Sequence, residues 1–348
     1  MELEFRSLNP KIRWGGAIAS LLLFCILIFY TIVLSWDITC TDSDQIVVIP
    51  KGASVYQSIQ LIQESGCLSE SDVSILKLAM TVTMRNGKVI PGRYTFKGIS
   101  TIGNMVNLIT TSSRERKKVT LLEGWTIEDI ADELNRKLHI DTYKFISLCK
   151  DFNFVHSLNI DAPSIEGFLF PDTYIFLSSY TEEQMITIMV NQFFHQYKKN
   201  IKRYKGHTSL SMREITTIAS IIQGEAMYDD EMKTISSVYH NRLKRKMLLQ
   251  ADPTIQYIIP GKNRRLYNKD LRVDSPYNTY KYKGLPPGPI NNPGLSALRA
   301  AIDPTETQYL YFVADGEGRH IFTRNNEAHN EAKKVLKRKR LEMKRKKK

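Results

Sequence analysis

The sequence contains no HExxH, no GxxxxGKS/T and no GxGxxG, which removes helix-borne zinc hydrolases, P-loop nucleotide enzymes and dinucleotide-binding folds from consideration. Gly294-Leu295-Ser296-Ala297-Leu298 lacks the last glycine of a nucleophile elbow, so it does not indicate an α/β-hydrolase serine. Cysteine is scarce: Cys25, Cys40, Cys67 and Cys149 are the four present, with no CxxC or other metal spacing. Seven histidines are scattered, His240 and His320 lying nearest the motifs described below, and they read as structural hydrogen-bonding groups. The expectation is no cofactor and no metal.

Acidic residues are outnumbered, 36 Asp and Glu against 49 Lys and Arg, for a formal net charge of +13. The excess is local. Lys333–Lys348 holds eleven Lys and Arg against Glu342 alone, so these residues, within a basic tail (331–348), carry +10 and the rest of the chain +3. A nucleic-acid partner would rest on that tail alone, and none is expected. With 42% apolar and 24% charged residues in 348, the chain is long enough for two or three domains with real cores.

The stretch from Trp14 to Trp36 has no charged residue in 23 positions, enough for roughly 30 Å of hydrocarbon with some tilt. Arg6, Lys11 and Arg13 precede it; Asp37, Asp42 and Asp44 follow. The positive-inside rule then predicts a cytoplasmic N-terminus (1–13), a single-pass, N-in transmembrane helix (14–36) and an extracytoplasmic remainder. The stretch is too long for a signal-peptide core and no A-x-A site follows, so an uncleaved anchor is expected. A disulfide among Cys40, Cys67 and Cys149 suits that compartment, as do unpaired thiols.

Beyond it the pattern is α+β. Residues 46–50 read as a strand, Lys51-Gly52 as a tight turn, and Ser54 as the cap of a helix. A second strand covers 90–96, and a helix starting at Ser100 or Thr101 runs through Met105, Leu108 and Ile109. The strand-then-helix opening recurs at 119–126, where Thr126 and Asp129 are placed like a capping box. Gly52-Ala53-Ser54-Val55 and Gly124-Trp125-Thr126-Ile127 echo each other 72 residues apart. Arg114–Lys118 is a charged junction and a candidate linker, separating a small module (46–113) from a larger domain (119–330). In the last third, YNTY (277–280), GLPPGPI (284–290) and NPG (292–294) form loops that proline stiffens. A helix over 296–302, a strand over 309–313 and a hairpin turn at Asp315–Gly318 follow.

Chemistry concentrates between Ile215 and Tyr257. On a helix, Ile215, Ile218, Ala219, Ile222 and Ala226 line one face, and Glu225 borders that face. Partial burial raises a carboxyl's pKa towards the range of a general acid near neutral pH. A turn at Met227–Asp230, with an aspartate as N-cap, starts a second helix with Met232, Ile235, Val238 and Tyr239 inward and its end near Asn241-Arg242-Leu243. Gln250, Asp252 and Thr254 follow in a short loop broken by Pro253. A glutamate beside an apolar stripe is by itself an ordinary helix-edge residue.

The motifs together say more. EGFLFPDTY (166–174), ASIIQGEA (219–226), NRL (241–243), LQADPTIQY (249–257), YNTY, GLPPGPI and NPG, in that order, resemble the YceG-like family of endolytic murein transglycosylases. The resemblance implies an α+β catalytic domain, a LysM-like module over 46–113 that holds glycan or sets the height of the active site, and a bacterial inner-membrane location with the catalytic domain outside the cytoplasm. The family's glutamate motif falls on Glu225. Some members have a second glutamate two positions earlier, where this chain has Gln223. Implied substrate contacts are Gln250, Asp252 and Thr254, then Asn241, Arg242, Tyr277, Asn278, Tyr280 and Glu166. Arg242 is alternatively a partner for Asp252.

The implied partners are peptidoglycan strands, the membrane and peptidoglycan synthases. The implied reaction cleaves the bond between N-acetylmuramic acid and N-acetylglucosamine within nascent strands, leaving 1,6-anhydro ends, with Glu225 as both acid and base. Ordinary glycosidases use two carboxylates, and Asp252, Glu166, Asp172 and Asp229 are the candidates for a second. A muramidase using the same glutamate and a non-catalytic scaffold for murein and its synthases remain alternatives.

Overall fold

The computed structural model describes residues 10–346 apart from 39, 41–45, 51, 87–88, 97, 112–115, 179, 203, 205–208 and 262–263, with side chains from Ile18 to Arg338 except at Ile46 and Thr95. It divides into two compact units, Met1–Lys117 with Phe176–Thr181, and Lys118–Ile175 with Glu182–Lys348.

The first unit contains α1 (Pro10–Leu34), β1 (Ile46–Ile49), α2 (Val55–Glu64), α3 (Glu70–Val82), β2 (Gly92–Thr95) and α4 (Ile102–Thr111). β1 and β2 pair antiparallel, Ile46 opposite Thr95 and Ile49 opposite Gly92. Ser54 and Ser69 close capping boxes with Gln57 and Asp72, so both intervening helices begin with their first N–H groups satisfied. Ile49, Ile59, Ile62, Leu76, Met80, Phe96, Met105 and Ile109 form the core. A disulfide joins Cys40 to Cys67 across 27 residues, while Cys25 and Cys149 are free.

The anchor expected over 14–36, and with it the transmembrane element of the fold, the membrane partner and the inner-membrane location, is corrected here. Among the described residues no helix is long and apolar enough to cross a membrane. The last turn of α1 belongs to the first unit instead. Val33 is buried in its core and Leu34 packs against it. The Trp36 indole donates to Asp72 at 3.0 Å, and Ile38 N–H donates to Ser100 O at 2.9 Å.

The second unit adds most of β3 (Arg116–Thr120), α5 (Ile127–Leu138), α6 (Thr142–Lys150), α7 (Phe152–Ser157), most of β4 (Thr173–Leu177), α8 (Glu182–Asn200), α9 (Met212–Glu225), α10 (Asp229–Lys244), α11 (Asp252–Ile258), α12 (Leu295–Ile302), β5 (Tyr311–Ala314), β6 (His320–Thr323) and α13 (Asn326–Lys346). β5 and β6 pair antiparallel. The charged junction is only partly a linker: Arg116–Thr120 is strand, with Val119 turned inward and fully buried. The echo seen in the sequence is one device used twice. Gly52 and Gly124 both take positive φ, at 87° and 80°, and the cap that follows each is a complete capping box. The C-terminal tail, read only as a basic end, is helical through Lys346, with Leu336 buried.

α9 is the core of this unit. Residues 215 to 222 are buried without interruption, so the expected stripe is in fact a helix enclosed on all sides, packed against α10, α11 and α12. Its polar members are satisfied locally: Thr216 and Thr217 donate to the carbonyls of Met212 and Arg213 at 2.8 and 2.7 Å, and Ser220 to that of Thr217 at 2.8 Å. Hydroxyls that bond back into their own helix can be buried without a partner from elsewhere.

Candidate active site

Glu225 is the last residue of α9, and the chain leaves the helix at Ala226 (ψ 130°). It lies on the wall of a cleft of about 1170 Å³ that also takes in Gly124, Thr126, Asp129, Asp252, Pro253, Tyr257 and Asn291. The Tyr239 hydroxyl, from α10, donates to Glu225 Oε1 at 2.9 Å. Desolvation pushes the Glu225 carboxyl up to about 7, and the charge of Asp252 adds to this; the Tyr239 bond, the Asp252 N–H and the Arg242 charge pull it back. A helix C-terminus carries partial negative charge and disfavours the carboxylate in the same direction.

Gly224 explains how the Asp252 N–H reaches Glu225. A Cβ on Gly224 would lie 2.7 Å from Pro253 Cβ, so its absence lets the start of α11 sit directly on the last turn of α9. Pro253 does not break a loop, as its position suggested. It stands in the first turn of α11, where the missing N–H costs nothing and the fixed φ suits a helix. The α10 start also differs: Tyr228 holds the N-cap position without a side-chain cap bond, and Asp229, Asp230 and Glu231 fill the first turn, favoured there by the helix dipole.

The other expected site residues divide into two groups. Asp252 is exposed on the cleft and accepts from the Tyr280 hydroxyl at 2.5 Å. Gln250 is exposed beside it, with φ at 49° and its N–H donating to Thr279 O at 3.1 Å. Tyr277 is half-buried, its ring 5.1 Å from that of Tyr257.

The remaining residues serve the scaffold. Arg242, 7% exposed, does not pair with Asp252. Its guanidinium donates to the carbonyls of Leu310, Leu249 and Leu248 at 2.6, 2.7 and 3.3 Å. Asn241 donates to Thr307 O and Tyr309 O. Thr254 shares a hydrogen bond with Thr279 at 2.9 Å, and Asn278 binds the carbonyls of Leu271 and Val273; both are fully buried.

Glu166, 2% exposed, is also out of reach of a ligand. Its carboxyl accepts from Ile127 N at the start of α5 and from Asn292 Nδ2 at 2.9 Å, and burial pushes it up to about 8. Asn292 Oδ1 in turn accepts from Gly167 N and Leu169 N at 3.0 and 2.9 Å. EGFLF and NPG are therefore two halves of one brace.

Gln223 accepts from Gly294 N at 3.0 Å and hydrogen-bonds Glu123, whose carboxyl desolvation and the charge of Asp229 hold above the usual range. Glu123 was not singled out in the sequence. Nor were Gln256, Tyr257, Arg264, Arg265 and Asn291, which line the cleft. Asn291 is held by its Nδ2 donating to Ser220 O at 2.8 Å. Among the described residues no group of three or more His, Cys, Asp and Glu side chains could hold a metal ion. His240 bonds Ala301 O at 2.8 Å and His320 bonds Glu231 at 3.1 Å.

The model of the YceG-like family matches residues 47–335. An endolytic murein transglycosylase of Bacillus subtilis (strain 168) is 37% identical over 234 residues, 62% of this chain and 64% of that one. One from Streptococcus pneumoniae serotype 2 is 32% identical over 241 residues, 61% of this chain and 43% of that one. The chain thus spans less than two thirds of either relative. The crystal structure of a YceG-like protein from Listeria monocytogenes superposes with a TM-score of 0.58 at 30% identity, covering 84% of this chain and 99% of that one.

Proposed function

The chain belongs to the YceG-like family, and from that premise we propose that it is an endolytic murein transglycosylase with Glu225 as its acid. The observation that carries this reading is a carboxyl pushed up to about 7 on the wall of a cleft of about 1170 Å³. Near neutral pH such a group is protonated often enough to act as an acid and, once ionised, is basic enough to recover a proton.

In the proposed step Glu225 protonates the oxygen that bridges N-acetylmuramic acid to N-acetylglucosamine, and the bond from C1 to that oxygen breaks. The 2-acetamido group supports the cationic centre. The Glu225 carboxylate then takes the proton of the C6 hydroxyl as that oxygen bonds to C1. Glu225 ends as it began, a 1,6-anhydro ring has closed, and no water is consumed. Tyr239, donating to Oε1, holds the carboxyl in one orientation throughout. The β1–α2–α3–β2 order of the first unit supports reading 46–113 as a LysM-like module that holds glycan.

Asp252 supports a second reading. It brings another carboxylate to the cleft beside Glu225, which is what a muramidase would use to direct water onto C1. Mass spectrometry of intact murein after digestion separates the two. The proposal expects internal fragments ending in 1,6-anhydro-muramic acid. Reducing ends, lost in Asp252→Asn, would make the protein a hydrolase, and an absence of products from a folded sample would favour a scaffold.

A further inference from the structure

Among the described residues the cleft carries three cations, Lys150, Arg264 and Arg265, as well as carboxylates, and two of the three are neutralised. Lys150 pairs with Glu128 at 3.0 Å. Arg264 makes a two-point contact with Asp270, at 2.8 and 2.9 Å. Arg265 is exposed on the same cleft, and its guanidinium has no partner among the described residues. It is not on a loose strand. The Gln256 side chain, from α11, takes both backbone groups of the preceding residue, accepting from Arg264 N at 3.3 Å and donating to Arg264 O. The helix that begins at Asp252 therefore also fixes where Arg265 stands, and an arginine held in place gives up less freedom when it binds.

We infer that Arg265 is an anion subsite of the cleft, binding a carboxylate carried by the muramoyl residues of the strand. The inference rests on the reading of the cleft as a glycan site. Hydroxyl and acetamido groups of such a strand are neutral, so its anions are the lactyl carboxylate, where no peptide is attached, and the carboxylates of the attached peptide. A guanidinium pairs with either through two parallel N–H···O bonds. Glu225 would then select the bond to be cut, and Arg265 the kind of strand presented to it.

Binding can be measured on the full chain carrying Glu225→Gln, so that the ligand survives. Three muramoyl oligosaccharides serve as probes: peptide-free, peptide-bearing, and peptide-bearing with every carboxyl converted to amide. Adding Arg265→Gln is expected to weaken binding of a carboxylate-bearing strand about fivefold and to change the amidated strand less than twofold. Arg265→Lys should recover part of the loss, and the difference should shrink as salt is raised. A loss with the peptide-free strand identifies the lactyl carboxylate; a loss confined to the peptide-bearing strand identifies the peptide. An equal loss on all three strands, or none on any, overturns the subsite and leaves the glycan reading standing. If the parent protein binds none of the three, both fall.

Discussion

The Tyr239 hydroxyl donates to Glu225 Oε1 at 2.9 Å, tying the middle of α10 to the last residue of α9. The bond favours the carboxylate, opposing the desolvation that favours the acid. Tyr239→Phe keeps the ring, which packs edge-on against Phe312 at 5.9 Å, and removes the donor. Without it the Glu225 carboxyl rises further. Activity that needs the protonated acid should then persist to higher pH while its maximum falls about tenfold from lost orientation. A pH–rate profile on murein checks both.

Ionising Glu225 also bears on stability. Its folded value, about 7, lies above the roughly 4.3 of an unfolded glutamate. Below about 4.3 both states are protonated and the group contributes nothing; above about 7 both are ionised and the folded state carries the full cost of the buried charge. Stability should therefore fall across that window as pH rises. Glu225→Gln should raise the unfolding midpoint at pH 8, by the equivalent of about 4 kcal/mol at most, and leave it unchanged near pH 4. Thermal unfolding of the two proteins at both pH values checks this.

Gly224→Ala places a methyl group 2.7 Å from Pro253 Cβ, and a proline ring at the start of a helix has little room to yield. The start of α11 must move, and with it the Asp252 N–H that reaches Glu225. The expected cost is about 1–3 kcal/mol in stability, with a larger proportional loss of activity than Gly224→Ala would cause by helix propensity alone, since alanine is the better helix former. Denaturant unfolding beside turnover of murein checks both.

Arg242→Ala leaves three backbone carbonyls without their donor, two of them in the chain leading to Gln250 and Asp252. Removing one partner of a buried, charged hydrogen-bond network costs about 3–5 kcal/mol. The unfolding midpoint should drop sharply, while folded protein at low temperature keeps its affinity for glycan within about twofold. A direct substrate contact would give the opposite pattern, lost affinity at near-normal stability. Calorimetric unfolding and glycan binding, measured side by side, distinguish them.

The parts of this site that the sequence made legible are those with a local signal. The cap at Ser54 and the capping box of Thr126 and Asp129 announce their helices within four residues. Glu225 bordering an apolar run announces a half-buried acid. Polar residues in the motifs had no such signal, because their partners are distant: Arg242 meets Leu310 across 68 positions, and Glu166 meets Asn292 across 126. A motif residue that holds a loop and one that holds a sugar look alike until burial separates them. Arg264 and Arg265 were silent for a related reason. They reach the cleft only because α11 forms and Gln256 grips the backbone beside them. At the N-terminus, hydropathy alone read one uninterrupted span, since it does not register Val33 and Leu34 packing into a folded unit.

The central claim is that one carboxyl on this cleft starts and finishes the reaction. Its most direct test is mass spectrometry of intact murein incubated with the wild-type chain and with Glu225→Gln, each first shown to be folded by thermal unfolding. The account predicts internal fragments with 1,6-anhydro-muramic acid ends from the wild type and at least a hundredfold fewer from the variant, about 3 kcal/mol in barrier. Equal yields from the two proteins would contradict it.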